Sequence, residues 1–265
     1  MLSSVVSQVL RRGLYTRVVG RRIMVYPSLA STMDRAAEEA RGGTSDGTVI
    51  LTEQQTTGRG RFQRLWVSTP GNLLLSIVLY PSHKELPYLS IAASLAVVRT
   101  IESETNLRPS LKWPNDVLIG GKKVCGLLVE NALEGQDVSY AVIGIGLNVA
   151  LDPKESPEIA AIATGLNVEA GKTVDCALLL RRLLQELDNL YQNLREGLSL
   201  VGEWRGYLET LGKRVEVRWG HDIVAGYAED VDEMGHLILR TDDGNRITLS
   251  AGEVSLSTAQ VYFPG

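Results

Sequence analysis

The segment GRGRFQRLW, which begins at Gly58, gathers arginines and glycines beside an aromatic side chain. Arg59 and Arg61 carry planar guanidinium groups whose paired donors match the oxygens of a phosphate or a carboxylate. Gly58 and Gly60 permit positive φ and let backbone N–H groups approach a ligand closely. The segment holds no acidic residue, and Trp66 can stack on a base or close over a ligand. The pattern predicts an anion-binding loop; a solvated hairpin tip is the alternative, and nucleic acid stays open as the anion.

A second stretch with reactive side chains, LKWPNDVLIGGKKVCGLLVE, spans residues 111–130. Asn115 and Asp116 follow a proline in a turn pattern that would hold their side chains in place. Lysine is a compact point charge suited to the junction of a carboxylate and a phosphate, and Asp116 could hold Mg²⁺ between phosphates. Lys122 and Lys123 face opposite ways because side chains alternate along a strand, and the pattern does not decide which faces a ligand. An ordinary hairpin with surface lysines is the alternative.

Residues 142–149, VIGIGLNV, place two glycines in an apolar strand pattern. The G-x-G spacing lacks the third glycine and the following helix of a dinucleotide fingerprint, so we exclude that motif. A glycine within a strand indicates close approach of another backbone or of a ligand. A flat ring against Gly144 and Gly146 would satisfy the pattern, and so would tight strand packing. The segment GLNVEAGKT at 165–173 is not a phosphate loop, because five residues separate its glycines where four are required.

The elements that must position these residues are helices mixed with strands. Apolar spacing predicts a helix after Ser31 or Thr32, either of which can cap it. The predicted helices cover 33–42, 86–105 and 176–197, and the predicted strands cover 22–26, 48–55, 72–80, 110–113, 117–120, 123–130 and 140–149. From Leu211 onward the chain holds only short strands, which suggests a small closed barrel. Helices combined with antiparallel strands predict the α+β class.

Composition and charge restrict the class of protein. The 265 residues carry a net charge of −4, which argues against a DNA-binding surface over the whole protein. No apolar run reaches the ~18 residues that a membrane helix needs. Cys125 and Cys176 form no C-x-x-C pair, so neither a zinc site nor a disulfide scaffold is expected. Residues 1–33 hold five arginines and no acid; we interpret them as a folded helix and strand, with a transit peptide as the alternative.

Together these motifs resemble the biotin–protein ligase family. The matching segments are AST at 30–32, QQTTGRGRFQRLW, KWPND, KVCGLLVE and GIGLNV, with a β-rich tail that ends in GEV at 252–254. The resemblance covers about residues 20–260. It implies a class II aminoacyl-tRNA synthetase-like catalytic domain with a mixed, largely antiparallel sheet at 1–208, of which 1–20 form an N-terminal extension or helix. An SH3-like β-barrel would follow at 209–265.

The resemblance implies an ATP-dependent ligase that works in two steps. ATP and biotin, with Mg²⁺, give biotinyl-5′-adenylate and pyrophosphate, and a lysine of a biotin carboxyl carrier domain then takes the biotin as an amide. The natural acceptor would be the carrier protein of acetyl-CoA carboxylase. A lipoate–protein ligase, which shares the catalytic fold, and a non-catalytic biotin-binding protein are the rival interpretations.

The expected partners and location follow from the same resemblance. Some family members carry an N-terminal winged-helix domain, and too few residues precede Ser31 for one, so we expect a monofunctional ligase that binds no DNA. We also expect no membrane binding and a cytoplasmic location. The exposed edge of the central sheet makes a homodimer possible.

The resemblance assigns roles to individual residues. The implied catalytic residues are Lys123, Lys112 and Arg61. The implied contacts of biotin and its adenylate are Ser31, Thr32, Met33, Gln55, Gly58, Arg59, Gly60, Arg61, Trp66, Lys123, Gly126, Gly144 and Gly146. Asn115 and Asn148 are implied for ATP and its phosphates, and Asp116 is implied for Mg²⁺. The chain departs from the family at Met33, where asparagine is usual, and at Gln63, where glycine is frequent; the first departure removes a polar contact and the second would stiffen the loop.

Overall fold

The computed structural model divides the chain into two compact units. Its described residues are 2–11, 13–219 and 222–256. The larger unit comprises residues 2–110 and 115–200, and the smaller unit comprises 111–114 and 201–256. Among the described residues, no helix combines the length and the apolar character that crossing a membrane requires.

Six α-helices lie in the described part of the chain, and three of them have a capping residue that the sequence type explains. They are α1 (Leu2–Arg11), α2 (Thr32–Arg41), α3 (Leu89–Thr105), α4 (Leu166–Ala170), α5 (Cys176–Arg195) and α6 (Val201–Tyr207). Ser31 precedes α2 and Asp175 precedes α5, and each side chain accepts N–H groups of the first turn. Asn106 ends α3 in the left-handed conformation, at φ 63°.

The strands form two sheets. They are β1 (Ile23–Tyr26), β2 (Val49–Thr52), β3 (Leu73–Leu79), β4 (Ser110–Lys112), β5 (Asp116–Ile119), β6 (Lys122–Glu134), β7 (Asp137–Leu147), β8 (Arg214–Trp219), β9 (Asp222–Val231), β10 (Leu237–Arg240), β11 (Arg246–Leu249) and β12 (Glu253–Leu256). The first sheet has seven strands in the order β1-β2-β3-β7-β6-β5-β4. The second has five, in the order β11-β10-β9-β8-β12.

The larger sheet is mixed but mainly antiparallel, which confirms the predicted α+β class. Strand β1 pairs with β2 in parallel, whereas β2–β3, β3–β7, β7–β6 and β6–β5 are antiparallel. All seven residues of β3 are buried, because this strand lies between two neighbours and its sequence is a continuous apolar run. Helix α3 is buried along most of its length and packs with α5. The larger sheet therefore packs on a core formed by β3, α3 and α5.

The hairpin of β6 and β7 extends further than the sequence predicts. The apolar pattern ends near Glu130, but the ladder continues to the pair Glu134–Asp137, around Gly135 at φ 63°. Pairing with β7 maintains the strand through a polar stretch that resembles a loop in isolation. Helices α4 and α6 are also absent from the predicted elements; α4 has only five residues, too few to show a periodic pattern.

The N-terminal segment is tied to the larger unit by one buried carboxylate. Asp188 of α5 accepts the backbone N–H groups of Arg17 at 2.7 Å and of Val18 and Val19 at 2.8 Å. Val9 of α1 and Val19 are fully buried, and α1 packs on α5. A carboxylate that receives three N–H donors fixes the path of the chain as it enters β1.

The smaller unit encloses its own apolar core. Val215, Val217, Leu237 and Leu239 of its antiparallel sheet are fully buried. Trp113 belongs to this unit: its indole Nε1 donates to the carbonyl of Gly235 at 3.0 Å, and its backbone N–H donates to Thr210 Oγ1 at 2.9 Å. The tryptophan of the KWPND motif is therefore a core residue rather than a ligand contact.

Candidate active site

A group of hydroxyl side chains, all buried, and the half-buried amide of Gln55 form one side of the site. Thr32 N–H and Thr32 Oγ1 donate to Gln55 Oε1 at 2.8 and 3.0 Å. Ser76 Oγ of β3 donates to Thr32 Oγ1 at 2.8 Å. Ser31 Oγ accepts the N–H groups of Met33 and Asp34 at 3.2 and 3.5 Å and so caps α2. Ser31, Thr32, Gln55 and Ser76, here called the hydroxyl corner, carry no formal charge and suit a neutral polar ring.

The arginine loop, residues 58–66, is closed by its own backbone. Gly60 N–H donates to the Arg64 carbonyl at 2.8 Å, and Trp66 N–H donates to the Gly58 carbonyl at 2.9 Å. Phe62 at the tip adopts a left-handed φ of 55°, and its side chain is exposed. These bonds close the loop into a tight, hairpin-like turn.

Arg59 lies between two carboxylates from different elements. Its Nη1 donates to Asp34 Oδ1 of α2 at 2.5 Å, and its Nη2 donates to Glu130 Oε2 of β6 at 2.9 Å. Nε adds a bond to the second oxygen of Glu130 at 3.3 Å, and Nη1 reaches Ser31 Oγ at 3.4 Å. Hydrogen bonding to Glu130 raises the pKa of Arg59. The arginine of the loop is thus attached to the elements that carry the hydroxyl corner.

Arg61 points toward the KWPND turn. Its Nη1 donates to Asn115 Oδ1 at 3.3 Å, and Asn115 in turn donates through Nδ2 to the carbonyl of Leu127. The next residue, Asp116, accepts from Lys123 Nζ at 2.6 Å. Arg61, Asn115, Asp116 and Lys123 therefore form a continuous polar row at the edge of the loop.

Lys123 is held by its backbone as well as by Asp116. Its N–H donates to the Ile162 carbonyl at 2.9 Å, and its carbonyl accepts from Thr164 N–H at 3.0 Å. The register of β5 and β6 shifts at this point, which sets the direction of the lysine. Strand alternation alone leaves Lys122 and Lys123 equivalent, and it is the ammonium group of Lys123 that lies beside Asp116 and 5.5 Å from the ring centre of Trp66.

The three strand glycines make room for side chains of this chain. A Cβ on Gly146 would lie 2.6 Å from the Trp66 indole, and one on Gly126 would lie 2.7 Å from the same ring. A Cβ on Gly144 would lie 2.6 Å from the Met33 sulfur. The sequence left two explanations open for the strand glycines, a flat ring against them or tight packing. Both apply in part, because the packing is tight and the indole of Trp66 is the ring that lies against Gly126 and Gly146. The indole Nε1 of Trp66 is buried without a hydrogen-bond partner among the described residues.

Asn148 is positioned by a residue that the sequence motifs did not single out. Asn72 Nδ2 donates to Asn148 Oδ1 at 3.3 Å and to Thr69 Oγ1 at 2.8 Å. Asn72 Oδ1 accepts the N–H groups of Val149 and Ala150 at 2.9 and 3.0 Å. Asp34, Glu130 and Ser76 were likewise missed, because each lies in an ordinary helix or strand pattern with no motif of its own. The available signal for Asn72 was an asparagine directly before the apolar run of β3.

Comparisons with known proteins agree with this geometry. Residues 25–148 match the model of the biotin/lipoate A/B protein ligase family, and residues 210–257 match the biotin protein ligase C-terminal domain. The chain is 35% identical to the biotin–[acetyl-CoA-carboxylase] ligase of Mycobacterium tuberculosis, covering 92% of this chain and 94% of that protein. The chain belongs to the biotin protein ligase family. It is also 34% identical to the bifunctional ligase/repressor BirA of Bacillus subtilis, over 91% of this chain and 76% of that protein.

Solved biotin protein ligases share the fold. The Aquifex aeolicus enzyme in complex with biotin and ATP has a TM-score of 0.76 and 30% identity, covering 90% of this chain and all of that chain. The Leishmania major enzyme in complex with biotinyl-5-AMP has a TM-score of 0.60 and 26% identity, covering 87% of this chain and 99% of that chain. The family recognised from the motifs is confirmed.

Lys112 and Gln63 are two further positions that the sequence singles out in this biotin protein ligase family member. Lys112 ends β4 and groups with the smaller unit, so its role stays a prediction. The Gln63 side chain lies outside the described residues. Cys125 stands between Lys123 and Gly126 and is buried, and burial raises the pKa of its thiol, which disfavours the thiolate that a nucleophile needs.

The residues fit Mg²⁺ only as part of a nucleotide complex. No group of three or more histidine, cysteine or acidic side chains that could hold a metal ion occurs among the described residues. Asp116 is the carboxylate of the polar row, and Lys123 already neutralises it. Mg²⁺ usually takes one or two carboxylates together with substrate phosphates, so one carboxylate beside a phosphate site is compatible with its chemistry.

Proposed function

We propose that this biotin protein ligase uses the hydroxyl corner for biotin and the polar row for the reacting phosphate. The reaction is the ATP-dependent formation of biotinyl-5′-adenylate followed by biotin transfer to a lysine of a biotin carboxyl carrier domain. The observation that carries the proposal is the row from Arg61 through Asn115 and Asp116 to Lys123, which starts at the arginine loop. Cationic donors beside an uncharged polar corner suit a ligand with a neutral ring and an acidic tail.

In this arrangement, the ring of biotin occupies the hydroxyl corner. Hydrogen bonds from Thr32 fix the side-chain oxygen of Gln55, and a hydrogen bond from Ser76 fixes the Thr32 hydroxyl group. Such preorganised groups bind without first reordering, which lowers the entropic cost of association. Gly126, Gly144 and Gly146 would let the ligand approach the sheet backbone after Trp66 moves or turns its face to the adenine.

In the first step, an oxygen of the biotin carboxylate attacks the α-phosphorus of ATP, and the bond to the pyrophosphate oxygen breaks. An anion approaches a polyanion, so positive charge must stand at the reacting phosphate before attack. Lys123 and Arg61 supply that charge, and Asp116 and Asn115 orient them. When bound, Mg²⁺ would neutralise phosphate charge beside Asp116, which is the residue that would hold it.

In the second step, the neutral amine of a carrier lysine attacks the acyl carbon of the adenylate. The new amide bond forms, the bond to AMP breaks, and the amine releases a proton. A mixed anhydride hydrolyses readily, so the site must exclude water until the carrier arrives. The arginine loop is the segment that would cover the adenylate.

Several wider assignments belong to the same proposal. We divide the chain into a catalytic domain at 1–208 and a C-terminal β domain at 209–265, and we place the reaction in the cytoplasm. The absence of DNA binding is supported by the net charge of −4, which argues against a DNA-binding surface over the whole protein; specific binding of an operator by the purified protein would refute it. A homodimer is supported by β6, which pairs with β5 only from Lys122 to Gly126 but runs on to Glu134.

The test of the function is biotin-dependent exchange of labelled pyrophosphate into ATP. We expect exchange with biotin and none with lipoate as the control acid. Exchange with lipoate instead would reassign the substrate, and tight biotin binding without exchange would make the protein a binding module. A second assay with labelled biotin and a carrier domain then tests the transfer step.

A further inference from the structure

The environment of Arg59 differs from that of an arginine waiting for an anion. Its side chain is 24% exposed, less than the 53% of Asp34 and the 46% of Glu130. Its three guanidinium nitrogens donate to two carboxylates, Nη1 to Asp34 and both Nε and Nη2 to Glu130. Two carboxylates outweigh the single positive charge, so Arg59 offers no net attraction to a further anion. A phosphate role for this residue would require both partners to be displaced.

The two partners come from elements that do not belong to the loop. Asp34 stands in the first turn of α2, and Glu130 stands in β6 beyond its pairing with β5. Arg59 also donates to Ser31 Oγ at 3.4 Å, so one of its contacts is a member of the hydroxyl corner. The connection therefore joins the loop to α2, which begins at the hydroxyl corner, and to β6.

We propose that Asp34 and Glu130 are positioning residues that hold the arginine loop closed through Arg59, and that this latch controls how long the adenylate stays bound. Asp34, Arg59 and Glu130 constitute the latch. The proposal rests on the proposed function for its second half, since only a reactive intermediate needs such retention. Arg59 then acts on the loop, while Arg61 acts on the phosphate.

A purely structural role for the carboxylates predicts different behaviour. Asp34 near the N-terminus of α2 also favours the helix dipole, so its loss alone would lower stability without any effect on the loop. Glu130 has no such second role, and Glu130→Gln keeps the shape and the acceptor while removing the charge. Glu134→Gln, on the same strand and exposed, is the matched control.

Hydrogen–deuterium exchange in the ligand-free protein tests the latch itself. Gly60 and Trp66 are the reporters, because the loop's own bonds protect their amides. We expect Glu130→Gln to speed their exchange about fivefold, as loss of an exposed ion pair at the upper end of its usual range would. The same change in an Arg59→Gln background should have no further effect, and Glu134→Gln should have none. High salt should speed exchange more in the wild type than in Glu130→Gln, since ions screen both pairs of the wild type but only the remaining Asp34–Arg59 pair of the variant.

Release of preformed labelled adenylate tests the consequence. We expect about fivefold faster release from Glu130→Gln than from the wild type or Glu134→Gln. Unchanged amide exchange in Glu130→Gln, or additive effects with Arg59→Gln, would overturn the latch. Faster amide exchange with unchanged release would overturn its control of the adenylate. A wild type that makes no adenylate would overturn the proposed function instead, and the amide measurement would still decide whether the latch exists.

Discussion

The hydroxyl corner and the arginine loop hold their polar groups in opposite ways. In the corner, Thr32 and Ser76 are buried and neutral, and short hydrogen bonds connect them with Gln55. In the loop, the charged Arg59 is part-exposed and is held by ion pairs to other elements. Neutral bonds in a core are insensitive to salt and persist, whereas exposed ion pairs contribute little and exchange easily. The difference indicates a fixed receptor for one part of the ligand and a releasable cover for the other.

Removal of the central lysine should have the largest effect. Lys123→Ala deletes the ammonium group beside Asp116, and we expect pyrophosphate exchange to fall roughly 10²- to 10³-fold, the usual loss for one preorganised electrostatic group. Biotin binding, measured separately by calorimetry, should change far less. Lys122→Ala is the control. An equal loss of exchange in both variants would contradict the assignment of Lys123, rather than Lys122, to the reacting phosphate.

Gln55→Ala should disrupt the hydroxyl corner and leave the arginine loop intact. Its side-chain oxygen satisfies two donors of Thr32, so removal leaves buried groups unpaired as well as deleting a ligand contact. We expect the KM for biotin to rise about 10- to 100-fold, with a smaller change in kcat. Gln54→Ala, at an exposed neighbouring position, provides the control. A drop in kcat at unchanged KM would place Gln55 with the reacting phosphate and contradict the division.

The fold was more predictable from the sequence than the site. Apolar periodicity located β3, α3 and α5, since burial on a core imposes that periodicity. The polar end of the β6–β7 hairpin was not predictable, because pairing with a neighbour rather than local preference maintains it. The sequence motif indicated Arg59 as an anion ligand because the segment GRGRFQRLW contains no acidic residue. Asp34 and Glu130 lie 25 and 71 positions away along the chain, and only the fold brings them together.

Packing between the loop and the sheet provides a third test of the division. Gly146→Ala would place a Cβ 2.6 Å from the Trp66 ring, so either the indole or the strand must shift. We expect a loss of about 1 to 3 kcal/mol in the free energy of unfolding, measured by denaturant titration. Gly206→Ala in α6 meets no atom within 4 Å and should be neutral or stabilising. In a Trp66→Ala background the cost of Gly146→Ala should largely disappear; if it persists, the indole is not what the glycine accommodates.

Arg61→Ala should have the smallest effect, and it tests whether the cover acts on the intermediate. Arg61 contacts Asn115 of the polar row rather than the hydroxyl corner, so the adenylate, which brings the phosphate, should gain from it more than biotin does. We expect biotin affinity to stay nearly constant and adenylate release to become about tenfold faster, the loss of one charge-assisted hydrogen bond. Arg64→Ala removes the same charge from the same loop and serves as the control. Release from a labelled adenylate complex, followed by rapid filtration, measures both. If Arg61→Ala retains the adenylate as well as Arg64→Ala does, the loop covers the site without contacting the phosphate, and the contrast with the hydroxyl corner would be one of position rather than of chemistry.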